Sequence, residues 1–372
     1  MWVYRSDLGK VPELPQGAVV SVADERNNLI GTAFYSTTSQ ISLRLISSGP
    51  VARVDELVRD RIRTAISLRP ALVQNSDSCR LIFSEADQLP GVIADRYNDL
   101  VSVQFLSQTT DQEWFRKALL ETLEEEVGPA GVVERVEERI RELEQLPSRE
   151  SGLLRGEKTS TVFHMNDVKF QFNALGGQKT GAFLDQRENY AAAAKYAHGE
   201  AIDVFTYQGG FALHLARRCE RVTGVDVSRT ALETAEQNEE LNRKDDRHEI
   251  EWLEANAFDL LKDYATAGRQ YDTIVLDPPA FAKTKKDAGS ALRGYKEINL
   301  RAFKMLRPGG VLVTCSCSHH VAEEEFVDML RDAASDARRV VRVLEKRGQA
   351  KDHPVLLGVP ETEYLKCVIL QV

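Results

Sequence analysis

The chain has 372 residues, 42% of them hydrophobic and 28% charged, with 57 acidic against 48 basic side chains and a formal net charge of −9. That length exceeds what one hydrophobic core organises, so two or three domains are expected, of ordinary soluble globular composition. The acidic excess argues against non-specific polyanion binding while allowing a local basic face, and no apolar run reaches the roughly 20 residues that cross a bilayer, so no membrane partner is expected.

The opening Met1-Trp2-Val3-Tyr4-Arg5 carries no charged-then-apolar signal pattern, and export is not expected. Residues 18–22, 29–35 and 41–46 read as short strands around a polar turn at 24–28, a small β unit. Residues 54–69 switch to helical period, with Val54, Leu57, Val58, Ile62, Ala65 and Ile66 on one face. Strands at 81–83, 92–94 and 100–105, with a turn at 87–91, precede a helix over 111–127. The charge-dense stretch 134–149 reads as a solvated surface, and a hairpin is expected over 162–172 around Asn166-Asp167. From about residue 175 apolar strands at 201–205, 222–226, 273–277 and 310–315 alternate with helical stretches, the pattern of a parallel α/β sheet. Five cysteines, Cys79, Cys219, Cys315, Cys317 and Cys367, form no framework spacing and read as reduced thiols of a cytoplasm.

Three strand ends carry chemistry. In the first, strand 201–205 runs into Thr206-Tyr207-Gln208-Gly209-Gly210, where paired glycines let backbone approach a ligand at the carboxyl edge of a sheet. The dinucleotide fingerprint G-x-G-x-x-G is absent, and Asp203 before the glycines would repel a pyrophosphate. An acid there suits the cationic aminoacyl end of S-adenosyl-L-methionine, and Asp226, ending the next strand, suits a ribose. Asn256 and Ala257 follow the third strand, a place that suits an adenine edge. The plainer reading is a strand-turn-helix without a ligand.

The second strand end is Asp277-Pro278-Pro279-Ala280-Phe281. Two prolines stiffen the exit, so an acid can hold the polar edge of a flipped base while an aromatic ring stacks on its face. Lys283, Lys285 and Lys286 would meet phosphates, or form a solvated basic loop. The third is Thr314-Cys315-Ser316-Cys317-Ser318-His319-His320. Cytosine C5 is a poor nucleophile until a thiolate adds to C6, and Cys317, expected just past the strand end, is the candidate for that addition. A small buried residue is the competing reading. A metal site is the weaker alternative, since Cys315, Cys317, His319 and His320 crowd too closely for one tetrahedral site.

These segments, with the run from Gly177 to Asn189, Arg293-Gly294-Tyr295-Lys296 and the C-terminal Glu361 to Lys366, resemble the bacterial large-subunit rRNA cytosine-C5 methyltransferases with an N-terminal PUA module, over nearly the whole chain. The resemblance implies an α/β protein. A PUA-like RNA-binding domain over 1–54, a middle α+β domain over 55–174 and a Rossmann-like class I methyltransferase domain over 175–372 are expected. It implies Phe183, Gln186 and Arg187 capping the cofactor pocket, and a cofactor set of Asp203, Phe205, Gly209, Gly210, Asp226, Asn256, Ala257 and Asp277. It puts Pro278, Pro279, Phe281 and Lys283 at the substrate, Asp277 at the base edge, and the nucleophile at Cys317 rather than Cys315. The implied partner is 23S rRNA, protein-free or early in assembly, with a homodimer as a further expectation. Trp2 to Asp7 matches a segment that the family reaches only after an opening strand, and Asn256 stands where relatives often place aspartate. Guanine-N7 methylation, which needs no thiol, and a non-catalytic RNA-binding assembly factor are the alternatives.

Overall fold

The computed structural model describes residues 2–9, 11–176, 182–243, 250–282 and 284–372. They divide into two compact units, one of Met1–His164, Phe172–Gly181 and Lys351–Thr362, the other of Met165–Gln171, Ala182–Ala350 and Glu363–Val372. No helix among the described residues is long and apolar enough to cross a membrane.

In the first unit, β1 (Trp2–Tyr4), β2 (Val19–Ala23), β3 (Leu29–Tyr35) and β4 (Ile41–Ser47) form an antiparallel sheet in the order β1-β4-β3-β2. Helix α1 (Val54–Leu72) follows and continues through Pro70, beyond the expected stop. Proline's fixed φ is already helical, so only the carbonyl one turn back loses a donor. Strands β5 (Ser78–Phe83), β6 (Val92–Tyr97) and β7 (Leu100–Phe105), helix α2 (Glu113–Glu126), β8 (Gly131–Glu134), α3 (Glu138–Leu143) and β9 (Gly152–Gly156) complete a sheet ordered β5-β6-β7-β8-β9. Its core joins Ile62 of α1 and Phe115, Leu119 and Leu123 of α2 to Ile82, Val92, Val103 and Val132.

The charge-dense stretch is not simply a solvated face. Glu134, Arg141 and Glu144 are buried. Arg116 donates to Glu134 at 3.0 Å, Arg141 to both Asp111 oxygens at 3.2 and 3.1 Å, and the Ser36 hydroxyl to Glu144 at 2.7 Å. Charge density in sequence does not separate a wet face from a buried network whose members neutralise one another.

A hairpin of β10 (Ser160–Met165) and β11 (Val168–Asn173) turns at Asn166 and Asp167, both at positive φ, as expected of an Asn-Asp turn. The second unit then builds α4 (Arg187–Tyr196), β12 (Glu200–Val204), α5 (Gly210–Leu215), β13 (Arg221–Asp226), α6 (Arg229–Asn242), β14 (Ile250–Glu254) and α7 (Ala257–Thr266). After these come β15 (Tyr271–Leu276), α8 (Ala288–Met305), β16 (Leu306–Ser316), α9 (Glu323–Asp336), β17 (Arg342–Arg347) and β18 (Lys366–Gln371). Seven strands form one sheet in the order β14-β13-β12-β15-β16-β18-β17, in which only β18 runs against the rest. Strands covered on both faces read as continuous apolar runs, and Thr273, Ile274, Val275 and Leu276 are all wholly buried. The chain order reverses beside β12, so the carboxyl ends of β12, β13, β15 and β16 share the edge where such sheets bind ligands.

Candidate cofactor and catalytic site

The β12 exit is strained in a regular way. Phe205, Tyr207 and Gly209 adopt φ of 70°, 52° and 85°, and left-handed non-glycine residues concentrate at functional sites. Asp203 is wholly buried beneath this turn. Its Oδ2 accepts from the Thr206 hydroxyl at 2.6 Å and from the Ala212 amide at 2.9 Å. Its Oδ1 is enclosed without a hydrogen-bond partner. Burial, and then Asp226, push the Asp203 carboxyl up to about 7 against the hydroxyl and amide that favour its charge. An unpartnered buried carboxylate oxygen at this edge fits the ammonium end of S-adenosylmethionine.

The two glycines have a structural duty not foreseen from sequence. A Cβ on Gly209 would come 2.9 Å from the Trp252 ring, and one on Gly210 would come 2.5 Å from the Tyr190 hydroxyl oxygen. The space of their missing side chains is filled by the protein itself. Trp252 is held there by its ring N–H, which donates to Glu239 at 2.7 Å.

Asp226 ends β13 part-exposed, each oxygen taking one backbone amide at 2.9 Å, from Tyr207 and from Ser228. A carboxylate oxygen retains further acceptor capacity, so the pair can still receive a ribose diol. Asn256 is exposed, and its side-chain oxygen caps α7 through the Phe258 amide at 2.9 Å, with Ala257 buried as the first helical residue.

Gln186 is buried, and its amide donates to Asp277 Oδ1 at 3.0 Å. Its orientation is fixed from behind. The Arg347 guanidinium donates to Asn189 at 2.9 Å, and Asn189 donates to Gln186 at 2.7 Å. Burial, with Asp185 and Asp203 close by, raises the Asp277 carboxyl to about 8. Cys317 lies one residue beyond β16, and its thiol donates to the Pro278 carbonyl at 3.9 Å. Burial, then Asp277 and Asp185, push that thiol up to about 12. The two loops are tied together. The Ala282 amide donates to the Ser318 hydroxyl at 3.2 Å, and the Tyr295 and Ser318 hydroxyls bond at 2.9 Å.

Phe183 is 39% exposed and meets Tyr207 edge-on, whereas Arg187 is buried at the start of α4. Phe281 packs with Tyr295 and Phe258 at ring distances of 4.6 and 5.7 Å, so much of its surface is already engaged. Lys283 and the 177–181 part of the run preceding Phe183 lie outside the described residues. Among the described residues, no group of three or more His, Cys, Asp or Glu is placed to hold a metal. Two residues escaped sequence reasoning. Asp185 accepts from the Tyr364 hydroxyl at 2.6 Å, keeps Oδ1 without a partner, and acts on both Asp277 and Cys317. Lys366 is buried against the loop that carries Cys317.

Comparison with known proteins agrees with this geometry. A family profile described as S-adenosylmethionine-dependent methyltransferase matches residues 85–358, and a PUA-like domain profile matches residues 1–48. A protein of Tolumonas auensis named ribosomal RNA large subunit methyltransferase I is 36% identical over all of this chain and 94% of its own length. One of the same name from Vibrio parahaemolyticus is 37% identical over 98% of this chain and 93% of its own. A solved protein from Streptococcus mutans shares the fold, with a TM-score of 0.83 at 19% identity over all of this chain and 95% of that one. The acid-lined edge of a seven-stranded sheet and these full-length likenesses agree: the chain belongs to the S-adenosylmethionine-dependent methyltransferase family.

Proposed function

We propose that this enzyme methylates C5 of a cytosine in 23S rRNA through a covalent bond between Cys317 and C6. The relatives' names support a large-subunit rRNA substrate, and action in the cytoplasm would go with it. The observation that carries the base and the atom is the meeting of Cys317 with the Asp277-Pro278 loop. Residues 1–54 would serve RNA recognition, 55–174 a middle domain and 175–372 the chemistry.

Asp203 would hold the cofactor's ammonium, Asp226 its ribose, and the 256–257 turn its adenine edge. When bound, the cofactor supplies an electrophilic methyl group and a positive charge. Asp277, kept protonated by burial and by its acidic neighbours, would donate a hydrogen bond to cytosine N3. The Cys317 thiol gives its proton to solvent, its sulfur bonds to C6, and the C5–C6 π electrons move onto C5 and the ring, which makes C5 nucleophilic. After C5 is methylated, loss of its proton restores the double bond and expels the thiolate. Gln186, aimed by Asn189 and Arg347, would keep Asp277 in place. The Pro278-Pro279 exit limits the loop's freedom.

The test is methylation of protein-free large-subunit rRNA, with the product nucleoside identified by mass. 5-Methylcytidine is expected, with loss of at least ~10³-fold in rate for Cys317→Ala. Full activity in that variant, or 7-methylguanosine as product, would overturn the reading.

A further inference from the structure

Lys366 opens β18 directly opposite Ser316, the last residue of β16, so it stands against the loop bearing Cys317. It is only 8% exposed. Its Nζ donates to the Ser318 carbonyl at 2.7 Å and to the Tyr364 carbonyl at 2.8 Å, both neutral acceptors. Among the described residues it makes no ion pair. The acids that act on it are Glu363 and Glu323, both exposed, and Glu323 is already bonded to Lys346 at 3.0 Å. An ammonium buried on carbonyls alone is expensive to keep. Its neighbour has the opposite difficulty. The groups that face Cys317 are Asp277 from the β15 exit, Asp185 from the turn before α4, and Lys366 from β18. Asp185, and Asp277 whenever it is ionised, oppose a thiolate, and the lysine favours it.

We propose that Lys366 is a positioning residue whose ammonium serves as the counter-charge of the Cys317 thiolate, while its bond to the Ser318 carbonyl fixes the loop that aims the sulfur. This rests on the reading of Cys317 as the attacking group. The acidic neighbours that suit a cationic cofactor penalise a thiolate, and a buried cation held one residue away answers that penalty without entering the cofactor pocket. Burial lowers the lysine's own pKa and Cys317 raises it, the reciprocal of its effect on the thiol. A lysine that only stapled Ser318 to Tyr364 would need its hydrogen bonds and not its charge.

The experiment follows alkylation of Cys317 by iodoacetamide across pH in the full-length protein, scored by peptide mass to separate it from the four buried cysteines. Lys366→Gln keeps donors and removes charge; Lys366→Arg keeps charge. Gln is expected to slow Cys317 alkylation at pH 9 at least tenfold, with Arg within threefold of the parent. The pH–rate profile of methyl transfer should shift to higher pH, with KM for S-adenosylmethionine within twofold. Lys366→Met fills the stem's volume without burying a new polar group, and decides the matter if the Gln variant does not fold. A folded Gln or Met variant whose alkylation profile overlies the parent's overturns the proposal. Methyl transfer by Cys317→Ala judges the nucleophile separately. Activity there would sink the covalent route while leaving the measured Lys366–Cys317 coupling as it stands.

Discussion

Cofactor affinity should climb as pH rises through neutrality, because Asp203 must be ionised to hold a cation. Burial lifts this carboxyl to about 7, so in the free protein it is largely protonated at pH 6. With that midpoint the ionised fraction grows from ~0.09 at pH 6.0 to ~0.76 at pH 7.5, an ~8-fold gain in affinity or ~1.2 kcal/mol. The window closes at 7.5 because an α-amino group, such as the cofactor's own, begins to titrate at roughly 7.7–8.0. Calorimetric titration with S-adenosylmethionine at several pH values, in two buffers of different ionisation enthalpy, reads both the affinity and the protons released. About half a proton should leave per site at pH 7. Asp203→Asn should bind more weakly and lose most of the slope, leaving what the more distant Asp277 contributes. An affinity constant to within twofold across the window, or an Asn variant with the full slope, would refute the assignment of Asp203 to the ammonium.

The same acids bear on stability with a definite sign. Because the folded pKa of Asp203 is about 7 and that of Asp277 about 8, against 3.8 unfolded, the native state holds their protons longer, and each costs stability as pH rises through that interval. In the cofactor-free protein Asp203→Asn should therefore gain stability relative to the parent between pH 5 and 7.5, read from urea midpoints. Gly210→Ala should lose ~1–3 kcal/mol and a few degrees of melting temperature, since its Cβ would lie 2.5 Å from the oxygen of buried Tyr190. A melting curve superimposable on the parent's would show that the ring moves aside freely. Glu134→Ala leaves Arg116, 15% exposed, with Asp111 at 3.2 Å as its remaining carboxylate, and should cost ~1–3 kcal/mol by denaturant titration.

What the sequence discloses and what it hides divide along a physical line. Strands of the large sheet are covered on both faces, and that burial writes itself as unbroken apolar runs. The three chemical strand ends were legible because Asp203 sits near the end of such a run and Asp277 and Cys317 directly follow one. Residues that act on the site from elsewhere in the chain left no such mark. Asp185 is 92 positions from Asp277 and shares with it only Gln186's neighbourhood. Nothing in the sequence around Lys366 marks it as buried. It is buried because β18 runs antiparallel to β16 and sets Lys366 against Ser316, a register that only the folded sheet specifies. The glycines of the β12 turn show the converse. Their position was legible and their reason was not, because the Trp252 and Tyr190 rings that need the space come from β14 and α4. The electrostatic character of the site is non-local for the same cause. No single segment is strongly acidic there, yet strand order brings Asp203, Asp226 and Asp277 to one edge, and the α4 approach adds Asp185. Each then raises the cost of ionising its neighbours. That shared cost gives a cationic cofactor its purchase and leaves Cys317 in need of a cation of its own.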